Sequence, residues 1–230
     1  NPKGESVMAA LRAVQIGCGR RGLSHVRALS EADGIELLAV CDLDAEKAKA
    51  AARICKADQC FTDLAEMMGR VEPDLVGFCA FSHVRCQVVL PVLESAPKAF
   101  VIDKPLAQTT LEAEELVRAA EEVGTAFFVC HQMRYAQEVQ SIACLISDGS
   151  LGEIEEVFAQ CKMNIVAQGT HMLDLIQMTC GDASPKTLLA QCEGWSELYD
   201  PRHPAPNHTL LQILYDSGLS AFAAFGDLAP

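Results

Sequence analysis

Short apolar runs alternate with amphipathic stretches through the first half of the chain. Leu11 to Gly17 (LRAVQIG), Ile35 to Cys41 (IELLAVC), Leu75 to Cys79, Ala99 to Ile102 and Thr125 to Cys130 predict buried strands. Between them, Gly22 to Ala32 carries Leu23, Val26 and Leu29 on one helical stripe, and Ala45 to Ile54 is an alanine-rich helix. A short strand followed by a helix over Phe61 to Met68 comes next, with Thr62 or Asp63 as its cap and Gly69 near its end. Val84 to Leu93 predicts another helix. The last of this half runs from a Thr109 cap to about Val123, with Glu112 at the reciprocal capping-box position and Gly124 as its stop. Strands alternating with helices imply right-handed crossovers, so the expected architecture is an α/β domain with a doubly wound parallel sheet covered on both faces.

The periodicity changes after residue 130. Val139 to Ile146 and Thr170 to Thr179 have helical spacing, and Gly149 and Gly152 mark a turn. Glu155 to Lys162 alternates like a half-exposed strand, Leu188 to Cys192 and Thr209 to Tyr215 predict further strands, and Pro201, Pro204 and Pro206 punctuate a loop. This predicts a smaller α+β domain with a mainly antiparallel sheet. The expected boundaries are 9–130 for the first domain and 131–230 for the second, with residues 1–8 left outside the fold.

Composition narrows the classes of function. Half of the 230 residues are apolar and 21% are charged, which is the profile of a folded globular chain. A net charge of -13 argues against a nucleic-acid surface, which needs a concentrated basic face. No apolar run is long enough to span a bilayer, so no membrane partner is expected. The eleven cysteines sit mostly inside apolar runs, with no CxxC pair and no metal-ligand spacing. A reduced, cytoplasmic setting and no metal are therefore expected.

Three motifs carry candidate chemistry. Gly17-Cys18-Gly19-Arg20-Arg21-Gly22 lies between the first strand and the first helix, and Asp42 ends the second strand. In a Rossmann turn the glycines allow a tight bend, close approach of a pyrophosphate and close helix packing, while an acid about 20 residues on takes the ribose hydroxyls. Asp42 repels a 2′-phosphate and Leu43 offers no donor, which favours NAD over NADP. The second motif, Asp103-Lys104-Pro105, ends a parallel strand, where ligands of such sheets bind. In the third, Gly169-Thr170-His171-Met172-Leu173-Asp174, the His and the Asp share one face of an otherwise apolar helix. Such a pair is common as a satisfied buried contact as well as in catalysis.

In this order the motifs resemble the Gfo/Idh/MocA oxidoreductases, from about Leu11 to about residue 180. Asp103-Lys104-Pro105 is similar to the family's (Glu/Asp)-Lys-Pro signature, and Gly169 to Asp174 to its Gly-x-His-x-x-Asp stretch. Cys130-His131-Gln132-Met133-Arg134-Tyr135 and Gly149 to Ile154 look like the entry to its second domain. The resemblance implies an NAD-dependent dehydrogenase acting on a secondary hydroxyl of a sugar, polyol or related small molecule. Lys104 and His171 would be catalytic, Gln132 and Arg134 would bind substrate, and Asp174 would bind a substrate hydroxyl or hold the imidazole's orientation. Gly17, Cys18, Gly19, Arg20, Arg21, Gly22, Asp42, Leu43, Ala80, Asp103 and Lys104 would hold the cofactor. It also implies a homo-oligomer, dimer or tetramer, formed through the open face of the second sheet. The chain departs from the family pattern in three places. Ala167 stands where an Asp is common, Ala80-Phe81 replaces a Thr-Pro with Arg85 in place of the His that follows, and the approach to the His motif is short. Two other readings follow from the same residues: a catalytically silent NAD-binding regulatory protein, and an NAD-dependent glycoside hydrolase.

Overall fold

The computed structural model describes residues 9–57, 59–195 and 204–226. Two compact units meet in sequence between Cys130 and His131. The first is built on β1 (Leu11–Ile16), β2 (Ile35–Cys41), β3 (Gln59–Phe61), β4 (Leu75–Phe78), β5 (Ala99–Asp103) and β6 (Ala126–Cys130). All pair in parallel, in the order β3-β2-β1-β4-β5-β6. The connecting helices are α1 (Arg20–Glu31), α2 (Ala45–Cys55), α3 (Leu64–Val71), α4 (Arg85–Leu93) and α5 (Thr110–Glu122).

Alternation along β1 feeds two separate cores. Val14 and Ile16 join Phe78, Phe100, Ile102 and Leu116 on one face, while Ala13 packs with Val26, Leu37 and Val40 on the other. Each fully buried Phe of this kind is worth roughly 1.5–3 kcal/mol, and Phe78 and Phe100 also lie with ring centroids 6.2 Å apart. At the amino edge of the sheet Asp74 ties three strands together. Its carboxylate accepts from the Arg12 amide at 3.0 Å and pairs with Lys98 at 2.9 Å, and its carbonyl accepts from Ala99 N at 3.0 Å.

The second unit holds a 3-10 turn (Gln132–Tyr135), α6 (Gln137–Ser147), β7 (Glu156–Cys161), a π-helical turn (Ile165–Gly169), α7 (Thr170–Thr179), β8 (Pro185–Glu193), β9 (His208–Tyr215) and β10 (Ser220–Phe225). Its sheet order is β7-β10-β9-β8; β8, β9 and β10 run antiparallel, while β7 pairs in parallel with β10. One face packs Leu211, Ile213, Ala221 and Phe225 against Ile176 of α7. The opposite face carries Leu189, Leu210 and a stacked Phe158–Phe222 pair whose centroids are 5.1 Å apart. Phe158 there is 72% exposed.

Several local expectations shift. Phe61 does not open a helix; it ends β3 in the core, and the Asp63 carboxylate, not Thr62, caps α3 by accepting from Glu66 N at 2.7 Å. The fourth helix begins at Arg85, after a 3-10 turn over Ser82–Val84. β10 answers to no strand expected from the sequence, and Pro201 lies outside the described residues.

Candidate functional site

β1 delivers the glycine turn to the sheet's switch point, where the chain order reverses between β1 and β4. Gly17 N donates to the Cys41 carbonyl and Cys79 N to the Ile16 carbonyl, each at 2.8 Å, so the ends of β1, β2 and β4 are held together. Gly17 has a φ of +84°, and a Cβ there would lie 2.1 Å from the Cys79 carbonyl oxygen. A Cβ on Gly22 would lie 2.0 Å from the Gly17 carbonyl oxygen. Packing inside the protein demands both glycines.

Gly19 is different. Its backbone is extended, and a Cβ there would meet nothing within 4 Å. Among the described residues nothing requires glycine at this position, whereas close approach of a phosphate to the α1 amino end does. No side chain caps α1, so its first amides remain for such a ligand. The residues present therefore fit a dinucleotide.

Asp42 secures the same turn. Its carboxylate accepts from Cys18 N at 2.7 Å and from Asp44 N at 2.9 Å, leaving acceptor capacity for a diol. Leu43 beside it is 95% exposed, an apolar surface open to a base. Cys18 is buried, and burial followed by the Asp42 charge pushes its thiol up to about 12, so it is not a nucleophile. Gln15 was not anticipated: fully buried in β1, it donates from Nε2 to the Ile16 and Gly17 carbonyls at 2.8 and 3.1 Å. A buried Gln beside a glycine turn is the signal that could have found it.

Asp103 and Lys104 stand at the carboxyl end of β5, and Ala80 follows the neighbouring β4. Arg21 reaches Asp103 at 3.7 Å, linking the glycine turn to the Asp-Lys-Pro motif, while Arg20 is exposed. Burial lowers the Lys104 ammonium's pKa; Asp103 opposes this, and Arg21 and Arg85 reinforce it. Arg85 is 2% exposed, donates from Nη2 to the Ala80 carbonyl at 3.3 Å, and is itself lowered to about 10 by burial. The residue that departs from the family pattern thus sits beneath the turn after β4.

In the second unit Asn164 caps the π-helical turn, accepting at its side chain from Ala167 N at 2.9 Å. Ala167 therefore lies inside that turn. Gly169 packs closely here: a Cβ would lie 3.2 Å from Ile165 and the Phe225 ring, so those side chains would have to give by a few tenths of an ångström. The turn sets His171 in the first turn of α7, where it is 1% exposed with its ring 5.2 Å from His131 at 83°. Asp174 receives a bidentate contact from Arg134, with Nε at 3.0 Å and Nη2 at 2.8 Å. Arg134 also reaches Asp182 at 3.2 Å, and these carboxylates hold the guanidinium firmly protonated. Gln132 is exposed on the same 3-10 turn. Sequence reading placed Arg134 and Asp174 toward substrate and did not foresee that they bind each other.

Among the described residues no group of His, Cys, Asp and Glu could hold a metal ion, and no helix is long and apolar enough to cross a membrane. All eleven cysteines are free thiols.

Residues 11–131 match the Gfo/Idh/MocA sequence model, described as an oxidoreductase family with an NAD-binding Rossmann fold. D-apiose dehydrogenase of Paraburkholderia graminis is 30% identical over 188 residues, covering 74% of this chain and 49% of that protein. Glycosyl hydrolase family 109 protein 1 of Akkermansia muciniphila is 28% identical over 153 residues, covering 63% of this chain and 32% of that one. The chain thus spans half or less of the length of these two relatives. The WlbA dehydrogenase of Bordetella pertussis, solved with NADH and UDP-GlcNAcA, superposes with a TM-score of 0.79 at 21% identity, covering 94% of this chain and 71% of that one. That likeness shows the shared fold. With the family's sequence running through the glycine turn, Asp42 and the Asp-Lys-Pro motif, this chain belongs to the Gfo/Idh/MocA oxidoreductase family and carries its NAD-binding Rossmann domain.

Proposed function

We propose that the protein is an NAD-dependent dehydrogenase that oxidises a secondary hydroxyl of a sugar, polyol or related small molecule. The observation that carries this reading is Lys104: a partly buried ammonium at the carboxyl end of β5, its pKa lowered by burial, on the strand next to the end of β4 that packs on the glycine turn. Bound NAD supplies the acceptor for the hydride that leaves the substrate carbon. Lys104 donates a hydrogen bond to the reacting oxygen and stabilises developing alkoxide charge. His171 takes the hydroxyl proton, a task suited to an imidazole near neutrality. The Arg134–Asp174 ion pair holds α7 and the 3-10 turn together around that imidazole. The exposed Phe158–Phe222 face supports a homo-oligomer, dimer or tetramer, and the unpaired cysteines support a reducing, cytoplasmic setting.

The deciding experiment replaces Lys104 with Met and follows NADH formation over a panel of sugars and polyols. Turnover should fall at least ~100-fold, the scale of one oriented electrostatic contact, with NAD affinity roughly kept. Normal oxidation by Lys104→Met would remove the assignment. A second reading, an NAD-dependent glycoside hydrolase, is favoured by the Akkermansia relative. It predicts release of an aryl leaving group without net NADH. A protein that binds NAD yet turns over nothing in either assay would instead be the silent binder.

A further inference from the structure

We propose that Gln15 is a positioning residue for the nucleotide: its buried amide pins the Gly17 carbonyl inward and so holds the glycine turn in its phosphate-binding shape before the nucleotide arrives. The proposal rests on the NAD cofactor assigned above and needs no hydride step. Gln15 is fully buried in β1, on the strand face it shares with Ala13, where Val26, Leu29, Leu37 and Val40 complete an apolar core. A side chain kept there for packing alone would be apolar, because a buried amide is costly unless it is hydrogen-bonded. Only half of this amide is satisfied. Nε2 donates to the Ile16 carbonyl at 2.8 Å and to the Gly17 carbonyl at 3.1 Å, while Oε1 is buried with no hydrogen-bond partner among the described residues. With two carbonyls on one side, the amide can face only one way.

The sheet makes room for it. Gln15 pairs across with Gly77 of β4, and glycine is a weak choice inside a central strand. A Cβ on Gly77 would lie 2.3 Å from Gln15 Oε1 and 3.1 Å from a Leu29 methyl. One contact thus accounts for two residues that strand packing by itself disfavours, a polar one and a bare one. The Ile16 carbonyl has a second donor, Cys79 N at 2.8 Å, whereas the Gly17 carbonyl has Gln15 alone among the described residues. That carbonyl is also where α1 sits down, since a Cβ on Gly22 would lie 2.0 Å from it. Gln15, the Gly17 carbonyl and Gly22 therefore form one line of contact from β1 to the amino end of α1, whose first turn no side chain caps. Direction matters as well as position. A carbonyl swung toward those amides would set its negative end against a phosphate, and the Gln15 donor keeps it turned into the protein.

The test is a fluorescence titration with NADH in the absence of substrate, so it stands apart from the Lys104→Met result; wild type reports on the cofactor and the variants on Gln15. Melting curves and amide hydrogen exchange of the whole apoprotein accompany it. Gln15→Met keeps the length of the side chain and removes both donors. NADH affinity should fall about tenfold, the scale of one hydrogen bond to the turn. The Cys18 amide should lose protection while the Val14 and Ile16 amides keep theirs. Gly77→Ala, whose Cβ displaces the amide, should reproduce the loss. In the double variant the two losses should coincide and not multiply, because each change removes the same contact. A merely structural Gln15 would lower the melting temperature of both single variants and leave NADH affinity and Cys18 protection as in wild type. That result, or losses that multiply, overturns the proposal. If neither variant folds, the Gln15 Nε2 protons of the wild-type apoprotein decide: exchange as slow as that of the β1 amides supports the pinned carbonyl, and exchange at the rate of an exposed amide overturns it.

Discussion

Gly17 is held at a φ of +84° with the Cys79 carbonyl where a side chain would begin. Gly17→Ala should therefore cost at least ~1 kcal/mol from backbone conformation alone, with the clash added. Thermal melts should show that loss together with weakened NAD binding. Gly19→Ala separates the two effects: with open space at its Cβ, it should keep the melting temperature and lose NAD affinity. Equal destabilisation by both would mean that Gly19, too, is there for packing. Asp42 reaches the turn through the Cys18 amide, so Asp42→Ala should weaken NAD and relax the exclusion of NADP, as titrating both nucleotides would reveal. The turn itself was legible because the glycine spacing and the acid that secures it are local features of the chain. Arg134 and Asp174 were not, since they lie 40 positions apart and a contact across that interval leaves no periodic trace. Residue types that suit a substrate suit each other equally well.

At the level of elements, caps and ties decide where strands and helices begin. Thr109 accepts from Glu112 N at 3.2 Å while Glu112 accepts from Thr109 N at 3.1 Å, the reciprocal box read from the sequence. Thr109→Ala should cost about 1 kcal/mol in denaturant unfolding. Asp74 offers a pH-dependent counterpart. The Arg12 amide, then Lys98, holds its carboxyl below the ordinary 3.8. A carboxyl depressed in the folded state contributes its full stabilisation above the unfolded value and loses it as pH falls through the folded one. Asp74→Asn should thus melt below wild type at neutral pH, and the gap should close in acid below the ordinary carboxylate range. A gap independent of pH would assign the loss to packing. The parallel strands were readable because both their faces are buried, giving continuous apolar runs. β10 was missed because SAFAAF pairs two Phe with small residues of weak signal, although Gly218, at a φ of +92°, marks the hairpin that precedes it. Phe61 was misplaced because one apolar residue serves the end of a strand as well as the start of a helix.

On the scale of the whole molecule the second sheet leaves one face uncovered among the described residues, with Phe158 and Phe222 stacked upon it. An apolar face of this kind is the candidate surface for the proposed self-association. Phe158→Asp should shift the protein toward monomer in light scattering while leaving the melt of the Rossmann unit in place. Unchanged mass would remove that face from the interface. The order of strands in this sheet also bears on how the chain is made. β7 leaves the ribosome well before β10, yet β10 is its sheet neighbour and stands between it and β9. Until Ser220–Phe225 emerges, the edge of β7 that β10 will take and the Gly169 turn that packs on Phe225 have nothing to close against. The nucleotide-binding half needs no such wait, since every strand of its sheet has been translated by Cys130. During synthesis, a fully formed glycine-turn cradle should therefore precede a settled His171.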